Sequence, residues 1–272
     1  LSWAIFFIGA VFNSLFEEET MTTNIFRLCL FLTIFLVIGI TQGMAQVAPA
    51  SQPEYTITLP DGWVEMPKEV ITAKLQEIKQ AGMGAATMQN YDRGFQKKGS
   101  DWFEYPYILV IVNKNGKAPS ADLDKLDQID ISSAKDKVVK DLNGLISNAE
   151  FGKMQYEKES NVIWLKTRME AAGVGTIEGI SGMLLTNEGF IQITGYAASE
   201  DIAELIPVVQ KMVRTTTVTE KLKYAENHLG GAPRFLRGMN WESVLMAGIR
   251  GAVIGVVVAL VLGLVRKFKK TS

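Results

Sequence analysis

Alternating and helical spacings of apolar residues divide the middle of the chain into elements. "EYTITLP" (54–60) alternates and ends in a Pro-Asp-Gly turn, which predicts an opening strand. "KEVITAKLQEIKQAG" (68–82) carries Val70, Leu75 and Ile78 at helical spacing and stops at a glycine, which predicts a helix. "TMQNYDRGFQKK" (87–98) alternates, so Tyr91, Arg93 and Phe95 are expected on one strand face, with Asp92 and Gln96 on the other. "WFEYPYILVIVN" (102–113) is aromatic and β-branched, a strand that ends at Asn115-Gly116. "SSAKDKVVKDLNGLIS" (132–147) reads as a helix capped by Ser132 or Ser133. Strands follow at 150–159, 161–171 and 176–185, and the turn "TNEG" leads to a further strand at 190–198. A closing helix over 200–216, capped by Ser199, gathers Ile202, Leu205, Val208, Val209 and Met212 on one face, with Pro207 inside it. The sum is α+β: a mainly antiparallel sheet with helices covering its faces.

Three segments carry a family resemblance. "ITLPDGWVEMP" (57–67), the strand-turn-strand "GISGMLLTNEGFIQITGYA" (179–197) and the closing "AELIPVVQKMVRTTTV" (203–218) are similar to the PsbP-like α-β-α sandwich, over residues 54 to 218. In that family an opening strand meets a Pro-Gly-Trp turn, and a hairpin, a helix and a short extended piece close the domain. The resemblance implies a binding or assembly module on an exported or lumenal protein, and no particular ligand.

The ends of the chain are more apolar. Residues 251–265 hold no charge, and fifteen residues make only about 22 Å of helix. Starting at Ser243 gives twenty-three residues and about 35 Å, enough to cross a bilayer with some tilt. Arg250 then falls inside the N-terminal half. It either snorkels to the headgroups or meets a partner carboxylate or an anionic lipid. Ser243, Ala247, Gly251, Gly255, Ala259 and Gly263 recur every fourth residue. Such a ridge lets helices approach closely, which suits a homo-oligomer or a membrane-protein partner; the alternative is a small-residue span with no partner. Arg266, Lys267, Lys269 and Lys270 follow the span, favour a cytoplasmic C-terminus and suit anionic headgroups.

From Met21, the single positive charge of Arg27, the apolar run 28–40 and small residues at Gly43 and Ala45 read as a signal peptide, with cleavage before Gln46 or after Ala50. Residues 1–20 read as upstream translated sequence. The expected organisation is therefore signal peptide 21–45, linker 46–53, exported domain 54–218, juxtamembrane stalk 219–242, transmembrane helix 243–265 and basic tail 266–272. The expected place is a bacterial inner membrane, crossed once, with the domain periplasmic or extracellular.

Composition narrows the chemistry. Residues 46–230 hold 25 acidic and 20 basic side chains with no basic stripe, so nucleic acid is not an expected partner. Cys29, the only cysteine, lies in the expected leader, and His228, the only histidine, in the stalk; cysteine or histidine metal sites and Cys-His pairs are excluded. "GVGTIEG" (173–179) precedes a strand, so it offers no helix N-terminus to a phosphate. "GISG" around Ser181 lacks the spacing of a nucleophile elbow. In "DLDKLDQID" (122–130), Leu126 and Asp127 break the calcium-loop pattern. No cofactor and no metal are expected.

One richer signal is aromatic. Trp63, Tyr91, Phe95, Trp102, Tyr105 and Tyr107, with Arg93 among them, are candidates for a ligand floor or an interface, or else ordinary core packing. Two readings follow: a non-enzymatic membrane-anchored binding or scaffolding domain, or a carboxylate-dependent hydrolase. The second requires a pocket holding two carboxylates with raised pKa values.

Overall fold

The computed structural model describes residues 53–80, 90–124, 126, 135, 136, 139, 140, 146–171 and 174–225. The expected signal peptide, His228, the span 243–265, its glycine ridge, Arg250 and the basic tail lie outside the described residues. Among the described residues no helix is long and apolar enough to cross a membrane.

The elements are β1 (Tyr55–Thr56), β2 (Trp63–Glu65), α1 (Lys68–Gln80), β3 (Tyr91–Lys97), β4 (Tyr107–Asn113), α2 (Ser120–Leu123), β5 (Ile146–Phe151), β6 (Gln155–Glu157), β7 (Val162–Ala171), β8 (Gly175–Leu185), β9 (Phe190–Ala198), α3 (Ile202–Thr215) and β10 (Thr217–Val218). One eight-stranded sheet runs in the order β2-β3-β4-β9-β8-β7-β5, with β6 also on β7. Every pair of strands in it is antiparallel. The long strands β7, β8 and β9 form a meander, and β9 then pairs along the whole of β4. The expected mainly antiparallel α+β fold is what the chain adopts.

Alternate side chains leave the sheet in opposite directions and build two apolar layers. On β4, Tyr107, Leu109 and Ile111 join one layer with Met66, Ile71 and Phe190. Ile108 and Val110 join the other, with Ile180, Ile193 and the buried face of α3. The α3 helix buries Leu205, Val209, Met212 and Val213, whereas Ile202 and Val208 are only partly covered. Its close seat depends on two glycines. A Cβ at Gly195 would meet Val209 Cγ2 at 2.5 Å and Leu205 Cδ2 at 2.9 Å; one at Gly182 would meet Val213 Cγ2 and the Trp164 ring, each at 2.7 Å. Pro207 withholds a donor from the Ala203 carbonyl, and because both residues are exposed, water can serve it.

Several boundaries differ from the sequence reading. Asp201, not Ser199, stands at the N-cap of α3, with no side-chain capping bond. The Ser199 hydroxyl instead donates to Glu178 Oε1 at 2.9 Å. The strand expected from Trp102 begins at Tyr107, because residues 102–106 form a loop held by the buried Gln96. Its amide donates to the Pro106 carbonyl at 3.1 Å and accepts from Phe103 N–H at 2.9 Å. In the helix expected over 132–147, Lys135, Asp136, Val139 and Lys140 are helical but Ile146 and Ser147 belong to β5. A bulge between Ile146 and Asn148 puts buried residues three apart, at Ile146 and Ala149, and this imitates helical spacing.

The strand expected at 54–60 stays out of the main sheet. Tyr55–Thr56 pairs with Thr217–Val218, and the Thr56 and Thr217 hydroxyls are 2.6 Å apart. This joins the two ends of the domain. The packed chain then continues past residue 218: Leu222 is buried, Asn187 N–H donates to its carbonyl at 2.9 Å, and Tyr224 donates to the Ala118 carbonyl at 2.9 Å. Residues 219–225, expected in the stalk, are part of the folded domain.

Candidate functional site

The aromatic candidates do not assemble into one pocket. A register shift between Tyr91 and Arg93 turns the strand over, so Tyr91 joins the α1 layer while Phe95 joins the α3 layer with Trp63. The expectation that Tyr91, Arg93 and Phe95 share a face is corrected by that bulge. Tyr107 is fully buried and touches Phe103, Tyr105 and Tyr196, with ring centroids 5.3–5.6 Å apart. Burial raises the pKa of Tyr91, Tyr105 and Tyr107. Arg93 is already engaged: Nε and NH2 donate to the two Glu65 oxygens at 2.6 and 2.5 Å, and the guanidinium lies 5.1 Å from the Phe95 ring centre. Trp102, at 38 % exposure, is the one exposed large hydrophobic residue among those described.

Ser181 is buried, and its hydroxyl lies 2.7 Å from that of Thr194. Gln192 donates to the same Thr194 oxygen at 3.1 Å. This polar seam crosses the middle of the α1 layer, and Ser181 has no route to a substrate from it. Among the described residues no group of three or more His, Cys, Asp or Glu is placed to hold a metal.

The open chemistry lies on the other face. β7 alternates buried residues with Trp164, Lys166, Arg168 and Glu170. Because α3 covers β8 and β9, the outer part of β7 stays uncovered beside it. A groove of about 590 Å³ results. Trp164, Lys166 and Ile180 form its floor, Gln210 and Arg214 of α3 form one wall, and the arm from Gly152 to Glu159 forms the other. The volume is typical of small-ligand sites.

Trp164 is fixed by its neighbours. Gly182, lacking a Cβ, admits the ring against the sheet, and the indole N–H donates to Glu157 Oε2 at 2.7 Å. Arg214 donates to the same carboxylate at 3.2 Å and its guanidinium lies 6.0 Å from the indole centre. The Trp164 bond, reinforced by Arg214, holds the Glu157 carboxyl below its ordinary pKa. Glu157 thereby ties β6, β7 and α3 together across the end of the groove. Lys153, Lys166, Gln155 and Gln210 make no side-chain hydrogen bond or ion pair among the described residues. Sequence reasoning missed this site. Its signal was Trp164 on the polar side of an alternating strand, in register with Lys166, Arg168 and Glu170.

No family model matches this chain, and no curated protein matches it. Among solved structures it is similar to cyanobacterial PsbP (CyanoP) from Synechocystis sp., at 13 % identity and a TM-score of 0.34, covering 61 % of this chain and 87 % of that one. It is also similar to LpqN of Mycobacterium tuberculosis, described as involved in cell envelope biogenesis, at 15 % identity and a TM-score of 0.35, covering 64 % and 87 %.

Proposed function

We propose that this chain is an exported, membrane-tethered binding domain that takes its ligand in the groove between α3 and β7. The observation that carries the reading is the seated indole of Trp164. A half-buried tryptophan at the floor of the groove, given room by Gly182 and oriented by Glu157, is pre-organised for contact with something outside the fold. The signal peptide at 21–45, the span at 243–265 and the basic residues after it support export and a single tether. The groove's chemistry favours binding over hydrolysis. Its carboxylates are Glu157 and Glu159, and Glu157 is held ionised by its partners, the reverse of the raised pKa that a carboxylate acid catalyst needs.

A photocrosslinking residue at position 210, in full-length protein in native membranes, tests this. The expected result is a discrete adduct from 210 that disappears with Trp164→Ala, and none from position 211, whose side chain lies outside the groove. Equal labelling from both positions, or none from 210, contradicts it.

A further inference from the structure

The groove carries more information than its shape. Three cations line it, Lys153, Lys166 and Arg214, against two carboxylates, Glu157 and Glu159. Glu157 is already committed to Trp164 and Arg214. Lys153 and Lys166 have no carboxylate partner among the described residues. The domain around them is acidic, with 25 acidic against 20 basic side chains over 46–230, so two unpaired ammoniums beside one indole are a local departure from the general charge. They make the groove complementary to an anion.

The neutral groups define the rest of the ligand. Gln155 and Gln210 stand on opposite walls, each with a primary amide that offers both donors and an acceptor. The half-buried indole, with the Arg214 guanidinium over part of it, supplies an aromatic surface at the floor between them. Toward β7 the backbone is used: β6 is paired with it, and Gly152 N–H donates to the Lys166 carbonyl at 2.8 Å. A ring with apolar C–H faces, hydroxyls on its rim and a carboxylate matches an indole, two amides and two ammoniums.

Taking the groove as the binding site proposed above, we infer that its ligand is an acidic saccharide, with a sugar ring stacked on Trp164, hydroxyls bonded to Gln155 and Gln210, and a carboxylate between Lys153 and Lys166.

Isothermal titration of the full-length chain in detergent tests this with four probes: tetragalacturonate, tetramannuronate, neutral cellotetraose and hexaglutamate. At least one acidic tetrasaccharide is expected to bind, with affinity falling as salt rises. Lys153→Gln with Lys166→Gln is expected to weaken it by about tenfold or more, since charge-assisted bonds are lost. Trp164→Phe should retain binding, and Gln210→Ala should reduce it. The lysine changes are at exposed positions, so folding is preserved there if a change at Trp164 proves disruptive. Cellotetraose binding as tightly as the acidic sugars, unaffected by the lysine changes, overturns the anionic part. Hexaglutamate binding while both acidic sugars fail overturns the saccharide and leaves the groove reading standing. If no probe binds, the saccharide proposal falls; if position 210 also gives no adduct in native membranes, the groove reading falls with it.

Discussion

At the scale of single residues, Glu157 is the most informative group. Hydrogen bonds from Trp164 and Arg214 lower its pKa in the folded domain. The unfolded chain takes up that proton at a higher pH than the folded one. The interaction therefore stabilises the fold at neutral pH, and its contribution is lost as pH falls from the ordinary value of 4.5 through the lowered one. The expected outcome is a change in Trp164 emission on acid titration below that value, identified by its absence in Trp164→Phe and abolished in Glu157→Gln. A transition centred above pH 4.5, or one unaffected by Glu157→Gln, contradicts the assignment. Neither this triad nor the polar seam of Ser181, Gln192 and Thr194 was legible in the sequence. Glu157 and Trp164 are brought together by the hairpin between β6 and β7; Trp164 stands out only as an aromatic on the polar side of its strand, and no local spacing marks Glu157.

At the scale of elements, period and composition identified most of the sheet. β7, β8 and β9 lie where alternation and the "TNEG" turn put them, and of the expected apolar face of the closing helix α3 buries Leu205, Val209 and Met212, with Val213 in addition. The failures are local and share a cause. One bulge in β3 reversed the face of Tyr91, and another in β5 made a strand read as the end of a helix. A bulge inserts a residue without leaving a compositional mark, so alternation counted across it gives the wrong side. Likewise the aromatic group in the first half looked like one cluster, but the sheet divides it between two layers. The seating of α3 gives a sharp test. Gly195→Ala forces a methyl into Val209 and Leu205 and is expected to destabilise by about 1–3 kcal/mol. Leu205→Ala is expected to cost about 2–5 kcal/mol, while the exposed Ala203→Ser stays within about 0.5 kcal/mol. Urea titrations of the three variants supply the comparison; a neutral Gly195→Ala would mean that α3 does not sit this close to β9.

At the scale of the whole molecule, the domain joins its own ends through β1 and β10, and the chain stays packed to residue 225, into the expected stalk. The groove opens on the α3 face, whereas Tyr224, near the end of the described residues, packs with the α1 layer. An exported domain with a groove occupied in the cell makes two demands. Gln210→Cys and Lys211→Cys test both together, because Cys29, the only native cysteine, falls in the expected leader. Labelling of each with a membrane-impermeant maleimide is followed in spheroplasts and in purified protein. The account predicts that both positions label from outside, and that position 210 labels more slowly in spheroplasts than in purified protein while 211 does not change. Failure of both to label from outside contradicts export. Equal rates at 210 in spheroplasts and in purified protein contradict an occupied groove.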